Sequence, residues 1–187
     1  MTRLALLRHA DTAWSAEGRI QGRADVPLLR GQGLFLPDGF GGFRVVASPL
    51  RRCLDTAALI GCAEPQREPR IAEMSWGAWE GRRLDELRAA LGEAMRENEA
   101  RGWDFRPEGG ESPREVLARV RPWLAEVAAR GEPTLAVTHR GVIRAVLAHA
   151  LGWDLRGKPP VRLDWRALHV FALAADGTPA VESLNVR

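Results

Sequence analysis

Two histidines and two arginines stand where short apolar runs end. Arg8 and His9 close "LALLRH" (4–9), His139 closes "PTLAVTH" (133–139), and Arg52 follows "RVVAS" (44–48) by four residues. Arginine is permanently charged, and its planar fork grips the oxygens of a tetrahedral dianion. A neutral imidazole can attack phosphorus in line and form a phosphohistidine. An unperturbed pKa of about 6.5 leaves much of a histidine unprotonated at neutral pH. Two flanking guanidinium groups lower that pKa and neutralise charge on the transferring oxygens. A leaving alkoxide also needs a proton. Glu73 lies in "IAEMSWGAWEG" (71–81) among two tryptophans and two glycines, where burial would keep a carboxyl protonated. Residue chemistry leaves Glu68 and Glu80 as alternatives to Glu73, and Arg51 as an alternative to Arg52. A strand can also end in charge simply because it reaches solvent.

Convergence of these residues depends on the elements that carry them. Short unbroken apolar runs predict buried strands over 3–8, 44–48 and 133–139. Residues 167–175 and 180–184 read as two more, joined through Asp176-Gly177 into a hairpin at a sheet edge. Helical spacing follows Ser48, which suits an N-cap with Pro49 in the first helical position. "SPRE" (112–115) repeats the device, with Glu115 completing a capping box and Pro122 predicting a kink further along. A third helix, 140–151, ends at Gly152, and a charged fourth covers 83–99. This alternation predicts an α/β fold: a three-layer sandwich with a mostly parallel central sheet, helices on both faces and one antiparallel edge strand. The 187 residues fit a single domain, 1–187. Ligands of open α/β sheets bind beyond the carboxyl ends of the strands. Arg8, His9, Arg52 and His139 all belong at that edge.

The ordered set of motifs resembles the histidine phosphatase superfamily, phosphoglycerate-mutase-like branch. "LLRHADT" is similar to its R-H-G-x-T signature. The likeness continues through "GRIQGRADVPL" (18–28), "SPLRRCLDTA" (48–57), "EMSWGAWEG" (73–81), "GGES" (109–112) and "THRGVIR" (138–144). The resemblance implies that His9 is the phosphorylated nucleophile, with Arg8, Arg52 and His139 completing the phosphate pocket and Glu73 donating the proton. It selects Arg52 over Arg51 and Glu73 over Glu80. It also implies substrate contacts from Gln21, Gly22 and the backbone N–H of Arg140. Ala10 departs from the family's glycine, and Ser15 stands where an asparagine commonly reaches the phosphate. Residues 31–42, with five glycines and a proline, predict a truncated helix or an irregular loop where relatives have a helix.

These readings predict a metal-independent phosphomonoesterase of the histidine acid phosphatase type, acting on a small phosphorylated substrate with inorganic phosphate as product and no cofactor. Phosphoglycerate mutase-type transfer is the alternative, disfavoured because the region between Glu73 and Gly109 is short. A non-catalytic phosphate-binding relative is a third reading. Net charge is only +3 and the arginines are dispersed without a basic stripe, which argues against nucleic acid as partner. Lys158 is the only lysine among 27 basic residues. No cysteine, histidine or carboxylate spacing resembles a metal site. No run approaches the roughly 18 apolar residues of a membrane span, and a cytoplasmic location is expected. His149 and His169 read as packing or surface residues, and Trp76 and Trp79 as pocket wall.

Overall fold

The computed structural model describes residues 1–187. Its six strands are β1 (Thr2–Arg8), β2 (Arg44–Ala47), β3 (Gln66–Arg67), β4 (Thr134–Thr138), β5 (Leu168–Leu173) and β6 (Pro179–Val186). They form one sheet in the order β3-β2-β4-β1-β5-β6. The first four of that order run parallel. The hairpin supplies the antiparallel edge, β5 running against β1 and β6 against β5.

Side chains of β1 alternate between two apolar layers, which is why its run is unbroken. Leu4 and Leu6 pack with α5 (Pro113–Arg130) and α6 (Arg140–Leu151). Ala5 and Leu7 face α2 (Arg51–Leu59) through Cys53 and Ala57. The loop 31–42 is irregular, as expected, yet it closes the second layer by burying Phe40 and laying Leu34 and Leu36 on it. A four-residue helix, α1 (Ala13–Ala16), follows the first strand, capped reciprocally by Thr12 and Ser15.

Pairing of β1 with β4 settles the central geometry. Arg8 lies opposite Thr138, and the His9 N–H donates to the Thr138 carbonyl at 2.9 Å. The next residues, His9 and His139, therefore leave the sheet side by side. β2 borders β4 on its other side and delivers Ser48 to the same edge, its N–H donating to the Val137 carbonyl.

Two helix boundaries differ from expectation. The helix after β2 begins at Arg51 with Leu50 as N-cap, not at Pro49 with Ser48 as cap. The Ser48 hydroxyl is 2.8 Å from His139 Nε2, and the Arg51 N–H is capped by the Asp25 carboxylate instead. Residues 83–99 form two helices, α3 (Leu84–Leu91) and α4 (Glu93–Glu99). Gly92 separates them with φ 53° and ψ −118°, a backbone that glycine tolerates and a continuous helix does not. α5 begins with the Ser112/Glu115 capping box and continues through Pro122 as one helix. α6 ends at the left-handed Gly152. No helix is long and apolar enough to cross a membrane.

Candidate active site

A cavity of about 710 Å³ opens at the carboxyl edge of the sheet, with Arg8, His9, Ser15, Gln21, Gly22, Glu73 and Arg140 in its wall. Arg52 and His139 do not line it. Both are fully buried, and the His139 and His9 ring centroids lie 5.2 Å apart. The sequence-derived residues thus gather in two tiers, an accessible wall and a buried backing.

His9 is held in one tautomer. Its Nδ1 is 2.7 Å from the Ala10 carbonyl, which can only accept, so Nδ1 carries the hydrogen and Nε2 keeps its lone pair. Burial, followed by the charges of Arg8 and Arg52, lowers its pKa to about 3. The ring is a neutral base at physiological pH. The Ala10 N–H donates to Thr56 Oγ1, so the methyl at position 10 sits on an anchored backbone.

The guanidinium of Arg52 is fixed by two backbone carbonyls, Nη1 donating to Ala24 and Nη2 to Gly22, each at 2.7 Å. Gly22 accommodates this with φ +54°, and a Cβ there would meet Glu80 Oε1 at 2.0 Å. Arg51, by contrast, points outward and pairs with Asp55. Arg8 donates from Nη1 to Asp11, and burial with Arg140 nearby lowers its pKa to about 10. Arg8 Nε and Arg52 Nε are buried with no hydrogen-bond partner. Buried donors on charged groups are costly unless an acceptor meets them. Two such donors sit on the arginines that act on His9.

Among the three carboxylates, only Glu73 faces the cavity. Glu68 is consumed by Arg70, and Glu80 accepts from the N–H groups of Arg23, Ala24 and Trp76. Glu73 Oε1 accepts from Met74 N at 2.8 Å and Gly141 N at 3.1 Å. Burial raises its pKa, opposed by those N–H groups and by Arg52 and Arg119. A protonated carboxyl in this setting donates from its second oxygen.

Ser15 lines the cavity, but its hydroxyl is engaged with the Thr12 carbonyl and Asp11. Gln21 accepts from Thr12 Oγ1. Arg140 begins α6, and its guanidinium lies 4.8 Å over the Trp165 ring. Trp76 lines the cavity as expected, whereas Trp79 packs behind it with Leu87 and Met95. Sequence reasoning missed Asp11, which ties Arg8 to Arg166, and Gly141, which holds Glu73. Gly141 stands two residues past His139 in a motif already singled out, and its place in the first helical turn was the available signal. No group of three histidine, cysteine or carboxylate side chains is gathered as a metal site.

A family model, histidine phosphatase superfamily (branch 1), matches residues 4–187. The chain is 30% identical to a 2,3-bisphosphoglycerate-dependent phosphoglycerate mutase of Methylobacterium radiotolerans, over 97% of this chain and 94% of that protein. It is 33% identical to phosphoserine phosphatase 1 of Hydrogenobacter thermophilus, over 83% of this chain and 79% of that protein. The crystal structure of a phosphoserine phosphatase from Entamoeba histolytica in complex with 3-phosphoglyceric acid superposes with a TM-score of 0.78 at 25% identity, covering 100% of this chain and 98% of that one.

Proposed function

The chain belongs to the histidine phosphatase superfamily (branch 1), and on that premise we propose that it hydrolyses a small phosphomonoester through a phosphohistidine on His9. The observation that carries the reading is a neutral His9 with a free Nε2 and an ionisable Glu73 in the wall of one cavity. In the first step Nε2 attacks phosphorus. The N–P bond forms as the P–O bond to the alcohol breaks, and Glu73 gives its proton to the departing oxygen. Arg8 in the cavity wall and the charge of Arg52 in the buried tier behind it stabilise charge on the transferring oxygens. In the second step the Glu73 carboxylate takes a proton from water. Water oxygen bonds to phosphorus, the N–P bond breaks, and phosphate leaves with neutral His9 restored. Each role is filled by a side chain, which supports a metal-independent reaction of the histidine acid phosphatase type.

The mutase among the relatives favours a second reading, in which the phosphoryl group returns to a second hydroxyl. A phosphate-release screen over a phosphoester panel, run beside a phosphoglycerate interconversion assay, separates the two. The His9→Ala variant is the control. Phosphate release with trapped phosphohistidine is expected from the wild type and neither from His9→Ala. Release that survives the substitution overturns the assignment.

A further inference from the structure

Glu80 stands outside the cavity wall, yet two segments of that wall meet at its carboxylate. Oε1 accepts from Arg23 N at 2.8 Å and Trp76 N at 3.1 Å, and Oε2 accepts from Ala24 N at 3.0 Å. The single 3₁₀ turn Gly77–Trp79 folds Glu80 back over Trp76 and makes this reach possible. On one side of the junction is the turn 22–24, which continues from the wall residues Gln21 and Gly22. The other side leads from Trp76 back through Met74 to Glu73.

The same turn aims Arg52. Gly22 and Ala24 supply the carbonyls that take the Arg52 fork, each at 2.7 Å. The Gly22 carbonyl and the Arg23 N–H belong to one planar peptide group. That peptide is therefore held by a carboxylate at its N–H and by a guanidinium at its oxygen. Charged partners make the stronger hydrogen bonds, and each polarises the peptide in the sense that strengthens the other. Asp25 extends the grip by accepting from Arg51 N at 2.9 Å, at the start of the helix that carries Arg52. Space enforces the arrangement too, since a Cβ on Gly22 would meet Glu80 Oε1 at 2.0 Å. Three N–H donors occupy both oxygens of Glu80. An amide would offer one oxygen and set its own NH₂ against the remaining donors.

We propose that Glu80 is a positioning residue of the phosphate site. From behind the wall it fixes the turn whose carbonyls aim Arg52, and through Trp76 it ties that turn to the segment carrying Glu73. The proposal rests on reading the cavity as a phosphomonoesterase site. Its consequence is that loss of the Glu80 carboxylate misplaces the phosphate-binding arginine and the proton donor together.

A double-mutant cycle read by calorimetric binding of inorganic phosphate tests the first half without turnover. Glu80→Gln should weaken phosphate binding about tenfold in the wild-type background and less than about twofold in Arg52→Met. Additive losses, or unchanged affinity in folded Glu80→Gln protein, overturn the proposal. The second half is read in kcat/KM of Glu80→Gln, where alkyl phosphates should lose about tenfold more than 4-nitrophenyl phosphate, which needs no proton. Equal losses for the two ester classes overturn the link to Glu73. Amide exchange in the wild type gives a readout that survives misfolding of either variant. Phosphate at about ten times its Kd should slow exchange of the Arg23, Ala24 and Trp76 N–H groups together by about fivefold, because opening the junction releases Arg52. Unchanged exchange at these three positions overturns the proposal. Coupled phosphate affinities with no phosphate release from any ester remove the phosphatase reading alone, and a wild type that binds no phosphate overturns both.

Discussion

Replacing Gly141 by alanine separates placement of the proton donor from the rest of the site. Gly141 lies in the first turn of α6 with helical backbone, where alanine is favoured over glycine by about 1 kcal/mol. A Cβ at this position would stand 2.4 Å from Glu73 Oε1 and 3.1 Å from Met74 Cβ. Ordinary contact begins at 3.4 Å, so the carboxyl must withdraw by the difference, 3.4 − 2.4, or about 1 Å. Withdrawal stretches the hydrogen bonds from Met74 N and Gly141 N, together worth about 2 kcal/mol. Set against the helical gain, the net loss is about 1 kcal/mol, small beside the ~5–15 kcal/mol of a typical domain, and the variant folds. Catalysis suffers more, since displacing a reacting group by about 1 Å can cost roughly 100-fold. The effect should depend on the leaving group. An alkoxide needs the Glu73 proton and a nitrophenolate does not. The assay is kcat/KM, which reports phosphoryl transfer to His9 rather than the later hydrolysis common to all substrates. Alkyl phosphates should lose roughly 100-fold and 4-nitrophenyl phosphate less than about fivefold. Equal losses for both classes, or none for alkyl esters, would refute the placement of Glu73 as proton donor.

Three other substitutions probe the same site. Burial raises the Glu73 pKa above its unfolded value of about 4.5, so its stabilising contribution is complete below that value and is lost as pH rises through the folded one. Glu73→Gln should therefore gain in urea midpoint relative to wild type as pH increases from about 4.5, while alkyl phosphatase activity falls by about 10²–10⁴; a pH-independent difference in midpoint contradicts the burial account. His9 has the opposite sign: with its pKa lowered to about 3, its contribution is complete above 6.5 and is lost as pH falls toward 3. Titration of the histidine carbon resonances should show no inflection for His9 near pH 6.5, and His9→Asn should flatten the acid side of the stability curve. Arg52→Lys leaves one of the Ala24 and Gly22 carbonyls without a donor, because a single ammonium cannot reproduce the fork. We expect about 2–3 kcal/mol of destabilisation in urea and at least a tenfold weaker inhibition by inorganic phosphate; wild-type phosphate affinity in a folded variant counts against Arg52 as a phosphate ligand.

Legibility in the sequence followed the range of the forces involved. Unbroken runs at Leu4–Leu7 and Thr134–Val137 announce strands buried on both faces, and the sheet buries both. That these two strands are neighbours, which alone sets His9 beside His139, is a matter of strand order that no local pattern encodes. Local signals failed where a distant group competed. Ser48 and Pro49 have the chemistry of a helix start, but His139 lies against the serine hydroxyl and the helix waits for Asp25 to cap Arg51. Helical periodicity through 83–99 concealed a break that a single glycine allows at residue 92. The choices of Arg52 and Glu73 came from resemblance, and the structure gives each a physical reason. Arg51 has no buried acceptor to reach, and Glu80 is bound to three backbone N–H groups.

Burial does for this site what charge alone cannot. A nearby arginine lowers the pKa of a histidine and a carboxyl alike, so Arg52 drives both His9 and Glu73 downward. Desolvation acts against whichever form is charged, and therefore separates the two: His9 falls and Glu73 rises. Burial thus draws His9 toward its neutral form and Glu73 toward its acid form in the same wall, the combination the proposed first step requires. The substrate reinforces half of this arrangement. A bound phosphate dianion offsets the arginines, raising both values. For Glu73 that shift adds to the upward push of burial. For His9, starting from about 3, several units remain before the lone pair is lost at neutral pH. Burial of the two groups, more than any single cation, is what makes the pair chemically complementary.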